Sequence, residues 1–414
     1  MNRTCIIAAT AALTLTAAGL LFAGPLNPPA GPVTSTYKTL QEVEPRTAIN
    51  VTNTPGDADS LFKITQPGSY YLTGNITGVA ARHGIEIDTS NVTLDLMGFR
   101  ILGTGGSLDG IFVNGSESNL TIRNGSVRSF GGDGLDAGSA ESVRVIDFTA
   151  RNCDGRGVVL GAGSTATNVI ADSNLLDGIV AGNGSALDHC VARSNGGNGI
   201  SSLGGSTITG CTAYQNTGIG ISAGNGCTIT GCTASFNTGD GIFASQGSTV
   251  SGCTAQSNAG DGITASNGST VSGCTAQFNS GDGISAAAGC TVVGCTAQFN
   301  SGDGIEINLH CRVTDNTCVF NGNGGNGAGI HATGSDNRIE GNNCTGNDRG
   351  IDVGFAGNII IKNTCSGNTI NWTIAANNVV GPILDRRAPA SAAISGNSAP
   401  SSLGTTDPSA NFTY

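Results

Sequence analysis

The feature that most constrains this sequence is a repeat of 21 residues. The twelve residues GCTAQFNSGDGI occur unchanged at Gly273–Ile284 and at Gly294–Ile305, and the closely similar GCTAQSNAGDGI precedes them at Gly252–Ile263. A glycine followed by an apolar residue marks thirteen such units, which recur every 21 residues from Gly157 to Gly304. Repetition at a fixed period indicates a solenoid, in which each unit packs on its neighbours instead of forming its own core.

Each unit carries three short runs in which inward and outward positions alternate. In the unit around Gly220, Ile221 and Ala223 are predicted to face inward and Ser222 outward, and the runs CTIT and CTAYQ follow the same rule. This alternation predicts strands with one buried face, and the Gly, Asn and Asp residues between the runs suit turns with positive φ. The unit is too short for a βαβ crossover. The sequence therefore predicts an all-β fold, a parallel β-helix of about thirteen coils with three short strands per coil.

Four segments are expected along the chain. Residues 1–23, in which Arg3 precedes an apolar run that ends in small residues, indicate a secretory signal peptide, with an uncleaved membrane anchor as the alternative. Residues 24–79 are expected to form an N-terminal segment and cap, 80–372 the β-helix, and 373–414 a C-terminal tail or cap, because the open ends of a solenoid must be covered. No other segment is expected to span a membrane, which predicts a secreted, extracellular or cell-surface protein, or a periplasmic one.

The coil pattern resembles that of a known superfamily. Over roughly Ile76–Trp372, the order of apolar, Asn and Gly-Ile positions is similar to that of the right-handed parallel β-helices of the pectin-lyase-like superfamily, in particular secreted bacterial β-helix-repeat proteins. The resemblance implies a right-handed fold. Its pectate lyases use acidic Ca²⁺ ligands and a catalytic arginine, and its polygalacturonases use Asn-Thr-Asp, Gly-Asp-Asp, Gly-His-Gly and Arg-Ile-Lys motifs. None of these four motifs occurs here, and His83 lies in Arg-His-Gly, so the resemblance indicates fold and leaves activity open.

Charge and cysteine content limit the partners and the redox chemistry. Without the signal peptide, 17 basic residues stand against 29 acidic ones, a net charge of −12, whereas nucleic-acid-binding proteins carry a basic surface. Thirteen cysteines remain, and six of them, from Cys190 to Cys295, recur one coil apart. Stacked parallel strands hold Cβ atoms about 4.8 Å apart, more than the roughly 3.5–4.5 Å of a disulfide. Buried thiols are therefore favoured over disulfides, and nothing converges to form a tetrahedral zinc site.

The first candidate site is the outward position after each Gly-Ile pair. This position is Glu306, His331 and Asp352 on three successive coils, whereas preceding coils carry mostly Ser or Thr. Stacked neighbours would bring the two carboxylates and the imidazole into contact, for acid–base catalysis or cation binding. Glu306 and Asp352 would also suit the separation of about 5–10 Å between the carboxylates of glycosidases. A solvated cluster of surface charges is the competing interpretation.

A second candidate site lies six residues before the marker glycine. Arg128, Arg151, Asp172, Arg193 and Tyr214 follow one another there on successive coils. Guanidinium groups beside an aromatic ring can bind the carboxylates and ring faces of an anionic glycan. An ordinary polar surface is the alternative.

Two further columns have simpler explanations. Asp240, Asp261, Asp282 and Asp303 recur in Asp-Gly turns, where carboxylates could bind Ca²⁺ but where Asp is also favoured by the turn itself. A row of threonines from Thr207 to Thr291 is typical of an exposed β-face, and also of ice-binding solenoids.

Together these features predict a secreted β-helix that engages an extracellular polysaccharide, by binding more than by catalysis. The alternatives are a polysaccharide lyase or glycoside hydrolase, and a structural or adhesive surface solenoid. No resident cofactor is expected beyond the Ca²⁺ considered above. An enzyme should depend on Glu306, His331 and Asp352 or on the arginines, whereas a scaffold should tolerate their loss.

Overall fold

The structure, a computed structural model, describes residues 44–322, 324–385 and 406–414. All regular elements in these ranges are β-strands, and no helix among them is long and apolar enough to cross a membrane. The expected signal peptide lies outside the described residues, as do 24–43 of the N-terminal segment and 386–405 of the tail.

One face of the solenoid is a parallel sheet of fifteen strands, one from each successive coil. Its strands are Ser60–Ile64, His83–Ile87, Ile111–Val113, Leu135–Ala137, Val158–Leu160, Ile179–Ala181, Ile200–Ser202, Ile221–Ala223, Ile242–Ala244, Ile263–Ala265, Ile284–Ala286, Ile305–Ile307, Ala328–Ala332, Arg349–Val353 and Ile370–Ile374. The middle thirteen are the coils predicted from the glycine marker. The first and last are additional coils that lack the marker, so the stack continues into the segment expected to be the N-terminal cap.

The other two strands of each coil belong to one continuous sheet of thirty strands. These strands are Thr47–Ala48, Gly68–Tyr71, Ile76–Thr77, Val92–Asp95, Arg100–Leu102, Ser118–Arg128, Glu141–Arg151, Thr165–Thr167, Ile170–Asp172, Ala186–Asp188, Val191–Arg193, Thr207–Thr209, Thr212–Tyr214, Thr228–Thr230, Thr233–Ser235, Thr249–Ser251, Thr254–Gln256, Thr270–Ser272, Thr275–Gln277, Thr291–Val293, Thr296–Gln298, Arg312–Thr314, Thr317–Val319, Arg338–Glu340, Asn343–Thr345, Ile359–Ile361, Thr364–Ser366, Val379–Val380, Ile383–Asp385 and Asn411–Thr413.

Identical inward residues stack along the axis to form the core. Ile263 pairs in register with Ile284, which pairs with Ile305, and all three are fully buried. The predicted alternation is confirmed, since Ile221 and Ala223 are buried and Ser222 between them is partly exposed. Because the regular coils repeat similar inward residues, the core is a continuous column in which a residue has similar neighbours on the next coil.

Asparagine amides form a hydrogen-bonded ladder inside the turns. The Asn279 side chain donates to the Ala255 carbonyl at 3.2 Å and to Asn300 Oδ1 at 2.9 Å. Its own Oδ1 accepts from the backbone and side-chain nitrogens of Asn258, both at 3.0 Å. The amide is fully buried, and it satisfies turn groups that would otherwise lack partners. This ladder is the structural role of the recurring asparagine.

The end of the chain continues the same pattern. Asn411 Oδ1 accepts from the Asn363 backbone nitrogen at 2.9 Å, so Asn411 supplies the next rung of a second asparagine ladder. Phe412 pairs with Thr364 in parallel register, and the Trp372 indole donates to Thr413 Oγ1 at 2.8 Å. The last residues therefore pair with the final coils of the stack.

All thirteen cysteines from Cys153 to Cys365 are buried and free. Successive members of the column contact one another through backbone nitrogen and sulfur, as from Cys232 N to Cys253 Sγ at 3.4 Å. The predicted thiol stack, in which cysteine acts as a small apolar residue, agrees with this arrangement.

Candidate functional site

The recurring turn aspartates form a ladder on the outside of the solenoid. Oδ1 of Asp240 accepts the Asp261 backbone N–H at 2.9 Å, Asp261 does the same for Asp282 at 2.8 Å, and Asp282 for Asp303 at 2.7 Å. One oxygen of each carboxylate is thus occupied by the turn, which is the structural role predicted for this column. The second oxygen, Oδ2, remains available to a residue of the next coil.

At Asp303 this second oxygen is hydrogen-bonded to His331. His331 Nδ1 lies 2.8 Å from Asp303 Oδ2 and 3.8 Å from Glu306 Oε2. Because an ionised carboxylate can only accept, the imidazole Nδ1–H donates to Asp303, and Nε2 remains for a ligand. Asp303 is buried, whereas the side chains of His331 and Glu306 are 29% and 38% exposed. A fixed carboxylate therefore orients a solvent-accessible imidazole beside a second carboxyl group.

The third residue of the predicted column has a different partner. Glu306, His331 and Asp352 do pair in register on three adjacent strands. Asp352, however, is 5% exposed and its carboxylate binds the Arg349 guanidinium. Arg349 also donates to Asn326 Oδ1 at 3.2 Å. The structure therefore brings Glu306 and His331 together and places Asp352 beneath Arg349.

These side chains line an open groove of about 600 Å³, here called the histidine groove. Its lining consists of Asp282, Ser301, Gly302, Asp303, Glu306, Gly325, Asn326, Gly327, His331 and Arg349. One wall comes from the turn that lengthens the coil between Gly304 and Gly329 to 25 residues. Asp348 Oδ2 holds this turn by accepting the backbone nitrogens of Gly325 and Gly327 at 2.9 and 3.3 Å. The irregular coil thus supplies one wall of this groove.

Burial and mutual repulsion change the acidity of the groove residues. Burial, with the nearby charges of Asp303 and Asp261, raises the pKa of Asp282 to about 7. Burial and the Asp303 charge also raise the pKa of Glu306. The hydrogen bond to Asp303 raises the pKa of His331 above its ordinary value. The groove therefore places a carboxyl group with a pKa of about 7, a second carboxyl group with a raised pKa and an imidazole close together, an arrangement typical of acid–base sites.

The same side chains also have the spacing of a cation site. One ligand atom from each of Asp303, Glu306 and His331 lies within 4.8 Å of the other two. His331 Nδ1 is already hydrogen-bonded to Asp303 Oδ2 at 2.8 Å, so a cation held by this nitrogen would have to replace that bond and displace any proton on it. The geometry is compatible with acid–base chemistry and with cation binding.

The predicted arginine column also forms, on the thirty-stranded sheet. Arg128, Arg151, Asp172, Arg193 and Tyr214 occupy one register position on consecutive strands. Asp172, which is buried, binds Arg151 at 3.2 Å and Arg193 at 3.0 Å. These ion pairs offset part of the positive charge predicted to bind an anionic glycan.

The two candidate sites are separate. Five strand spacings, about 24 Å along the axis, separate the coil of Arg193 from that of Glu306. The columns also lie on different sheets, so no single small ligand contacts both.

Three charged residues of the groove were not predicted from the sequence as members of the site. Asp303 and Asp282 were assigned to the turn column, and Arg349 was not considered. The available signal was the 25-residue coil, since a longer turn marks the place where the repeat departs from its scaffold.

Comparison with known proteins agrees with the solenoid. A family model described as "Right handed beta helix region" matches residues 69–207, 158–296 and 204–343, which together cover more than half of the chain. No curated protein gives a significant match to the sequence.

Several solved structures resemble the chain. The A-module of mannuronan C-5 epimerase AlgE6 from Azotobacter vinelandii has 16% identity and a TM-score of 0.49, over 72% of this chain and 91% of that chain. The A-module of AlgE4 from the same organism has 16% identity and a TM-score of 0.47, over 76% and 91%. Pectate lyase Pel9A has 13% identity and a TM-score of 0.35, over 66% and 71%. At these values the likeness does not identify an activity for this chain.

Proposed function

This chain belongs to the family of right-handed β-helix proteins, and we propose that it binds an uncharged extracellular polysaccharide in the histidine groove. The observation that carries the proposal is the composition of the groove. Among the described residues, its lining contains carboxylates, an imidazole, a guanidinium, an amide and a hydroxyl, but no apolar side chain. Such donors and acceptors suit a ligand rich in hydroxyl groups and do not suit a lipid or an apolar small molecule.

The extent of the groove supports a polymeric ligand. Its residues come from four neighbouring coils, those of Gly283, Gly304, Gly329 and Gly350. Four rungs span about 14 Å along the axis. An open groove of this length along a rod suits a segment of an extended chain.

The charge of the groove favours an uncharged chain over a polyuronate. Asp282, Asp303 and Glu306 line it, and the guanidinium in its lining, that of Arg349, is bonded to buried Asp352. The whole chain carries a net charge of −11. Repulsion by this field would weaken the binding of an anionic polymer.

Hydrolysis of the bound chain is a second candidate function, favoured by a specific observation. The pKa of Asp282 is raised to about 7, so this carboxyl group keeps its proton in part near neutral pH, and burial also raises the pKa of Glu306. Oxygens of Glu306 and Asp303 lie within 4.8 Å of each other, close to the roughly 5–5.5 Å between the carboxyl groups of retaining glycosidases. An acid and a base are thus both present.

The experiment is a binding and turnover screen of the protein from Gly24 to Tyr414 against neutral and acidic polysaccharides, with and without Ca²⁺. Affinity electrophoresis measures binding, new reducing ends report hydrolysis, and ultraviolet absorbance reports unsaturated lyase products. The groove variants are Glu306→Gln and His331→Ala. Thr264→Ala is the matched control, because Thr264 donates to Asp240 Oδ2 at 2.8 Å in the equivalent position of a regular coil.

We expect binding to at least one neutral polysaccharide, with a loss of about tenfold in both groove variants and little change in the control. Reducing ends that disappear in Glu306→Gln would establish hydrolysis as well. Binding only to acidic polymers, or neutral binding that both groove variants retain in full, would contradict the proposal.

A further inference from the structure

A row of exposed phenylalanines lies along the thirty-stranded sheet, outside the histidine groove. Phe278, Phe299 and Phe320 occupy the same position on three consecutive coils, directly after the strands that end at Gln277, Gln298 and Val319. Neighbouring rings stack, with centroids 5.1 and 5.4 Å apart and interplanar angles of 3° and 17°. Each side chain is between 43% and 52% exposed. We call these three residues the phenylalanine ladder.

The fold does not require aromatic residues at this position. The three phenylalanines have φ between 54° and 57°, a left-handed conformation that bulky residues rarely adopt and that Asn and Gly tolerate better. Other coils carry Asn152, Ser257 and Gly346 in the same column, with the same positive φ. Phenylalanine is therefore a locally unfavourable choice that burial does not offset, and such violations are typical of functional positions.

The strands beside Phe278 and Phe299 carry polar, uncharged side chains. Gln277 donates to Gln256 at 3.0 Å and Gln298 donates to Gln277 at 2.7 Å, so a row of amides runs beside the rings. Between Gly231 and Asn300, the part of the chain that carries Phe278 and Phe299, the only charged residues are Asp240, Asp261 and Asp282, whose carboxylates bond the turns. Aromatic rings with aligned amides, in a protein otherwise rich in acidic groups, match an uncharged ligand with apolar faces and hydroxyl groups.

From these observations we infer that the phenylalanine ladder is a second binding surface, which holds an uncharged polysaccharide along the rod axis. The C–H faces of the sugar rings contact the phenylalanines, and sugar hydroxyls bond the glutamine amides. Three half-exposed rings offer roughly 300 Å² of apolar surface, well below the roughly 800 Å² per partner of a stable protein interface. This difference disfavours a second copy of the chain as the occupant.

The ladder lies next to the histidine groove. Asp303 is four positions after Phe299 in the chain, so the two Cα atoms are at most about 14 Å apart. Phe320 directly precedes the longer turn that forms one wall of the groove. A chain held on the ladder would therefore present a segment to the groove. The inference rests on the proposed function, because it assigns the same class of ligand to both surfaces.

The test uses adsorption of the protein from Gly24 to Tyr414 to insoluble neutral polysaccharides, namely cellulose, chitin and a β-1,3-glucan. The ladder variant combines Phe278→Ser, Phe299→Ser and Phe320→Ser, since Ser257 shows that serine fits the column. The matched control combines Thr228→Ala, Thr249→Ala and Thr270→Ala, three exposed or partly exposed residues that pair in register on other strands of the same sheet. Thermal unfolding checks the fold, and we expect no decrease in Tm for the ladder variant.

We expect the ladder variant to bind at least tenfold more weakly than the wild-type protein, with the control within twofold. Glu306→Gln separates the two proposals. If Glu306→Gln loses adsorption while the ladder variant keeps it, the ladder inference is wrong and the groove proposal stands. If only the ladder variant loses adsorption, the ladder is the binding surface and the groove proposal fails. A dimer that the ladder variant dissociates, detected by sedimentation, would overturn the inference in favour of a second copy.

Discussion

The regular coils and the coil that follows Gly304 use the same turn for different purposes. In the regular coils the outer oxygen of Asp240 accepts the Thr264 hydroxyl, and the turn there has the regular length. At Asp303 the same oxygen accepts the His331 imidazole, beside Glu306 and a turn lengthened by four residues. In both coils Oδ1 of the aspartate accepts a backbone N–H of the next coil, that of Asp261 at Asp240 and that of Ala328 at Asp303. The aspartate ladder is thus structural in the regular coils. It becomes part of a candidate site where a histidine replaces threonine opposite the aspartate and the neighbouring turn is longer.

The largest effect on stability is expected from a substitution in the asparagine ladder of the regular coils. Asn279→Ala removes four buried hydrogen bonds and leaves the Asn258 backbone nitrogen without its acceptor. Since each buried unsatisfied group costs about 1–3 kcal/mol, we expect a loss of about 4 kcal/mol in the free energy of unfolding. Urea denaturation measures it, with Thr275→Ala on the outward face of the same coil as the control. Equal midpoints for the two variants would show that the ladder is not the source of stability.

A smaller change in stability, in this case an increase, is expected when Asp282 in the histidine groove is replaced by asparagine. The pKa of Asp282 is about 7 in the folded protein and 3.8 when unperturbed. A carboxyl group whose folded pKa is raised favours folding while protonated, so its contribution to stability is lost as the pH rises from about 4 through 7. Asp282→Asn cannot ionise, yet it keeps the Oδ1 acceptor, as Asn198 does in the same column at 2.8 Å from the Ile219 nitrogen.

We therefore expect Asp282→Asn to stabilise the protein by about 3 kcal/mol at pH 8, because each tenfold change in the acid dissociation constant corresponds to about 1.4 kcal/mol and the groove is partly open to solvent. The difference should vanish near pH 4, where the wild-type carboxyl is also neutral. Thermal unfolding over this pH range measures it. A variant that is destabilised at pH 8 would mean that the ionised carboxylate has a favourable partner in the groove.

The smallest effect is expected from moving the histidine into a regular coil. Thr264→His places an imidazole opposite Asp240, as His331 stands opposite Asp303. We expect the new imidazole to titrate above its ordinary pKa and to stabilise the fold by less than about 1 kcal/mol, an effect lost as the pH rises through that pKa. Nuclear magnetic resonance titration measures the pKa. Because the longer turn is missing there, the variant should gain no polysaccharide binding, and a new binding site at that coil would show that the turn is dispensable.

The fold could be predicted from the sequence because every coil repeats the same physical solution. Ile, Ala and Cys at alternate positions and Asn at the turn determine which side chains face the core, and the register follows from the 21-residue period. The two terminal coils were missed because Ser60–Ile64 and Ile370–Ile374 lack the Gly-apolar marker. These two strands are recognised only by their pairing with the adjacent coils, and the sequence of the strand itself does not show that pairing.

The candidate site could be predicted only in part. Equal spacing from the marker glycine placed Glu306 beside His331, and the register confirms that they are neighbours. The role of Asp303 was hidden because its sequence position is the same as that of Asp240, and only the next coil determines what its outer oxygen contacts. Asp352 follows the same spacing but binds Arg349, whose position in the strand carries no comparable signal. That these residues bind a ligand stays a prediction, because it depends on a partner molecule and not on the repeat.

The most direct test of the central claim compares Asp303→Asn with Asp240→Asn in polysaccharide binding. Both substitutions keep the Oδ1 acceptor of the turn ladder, and only the first removes the oxygen that orients His331. We predict that Asp303→Asn weakens binding to the preferred neutral polysaccharide at least tenfold while Asp240→Asn leaves it within twofold, with similar Tm values. Equal affinities in the two variants would contradict the claim that the site arises where the aspartate ladder meets the histidine.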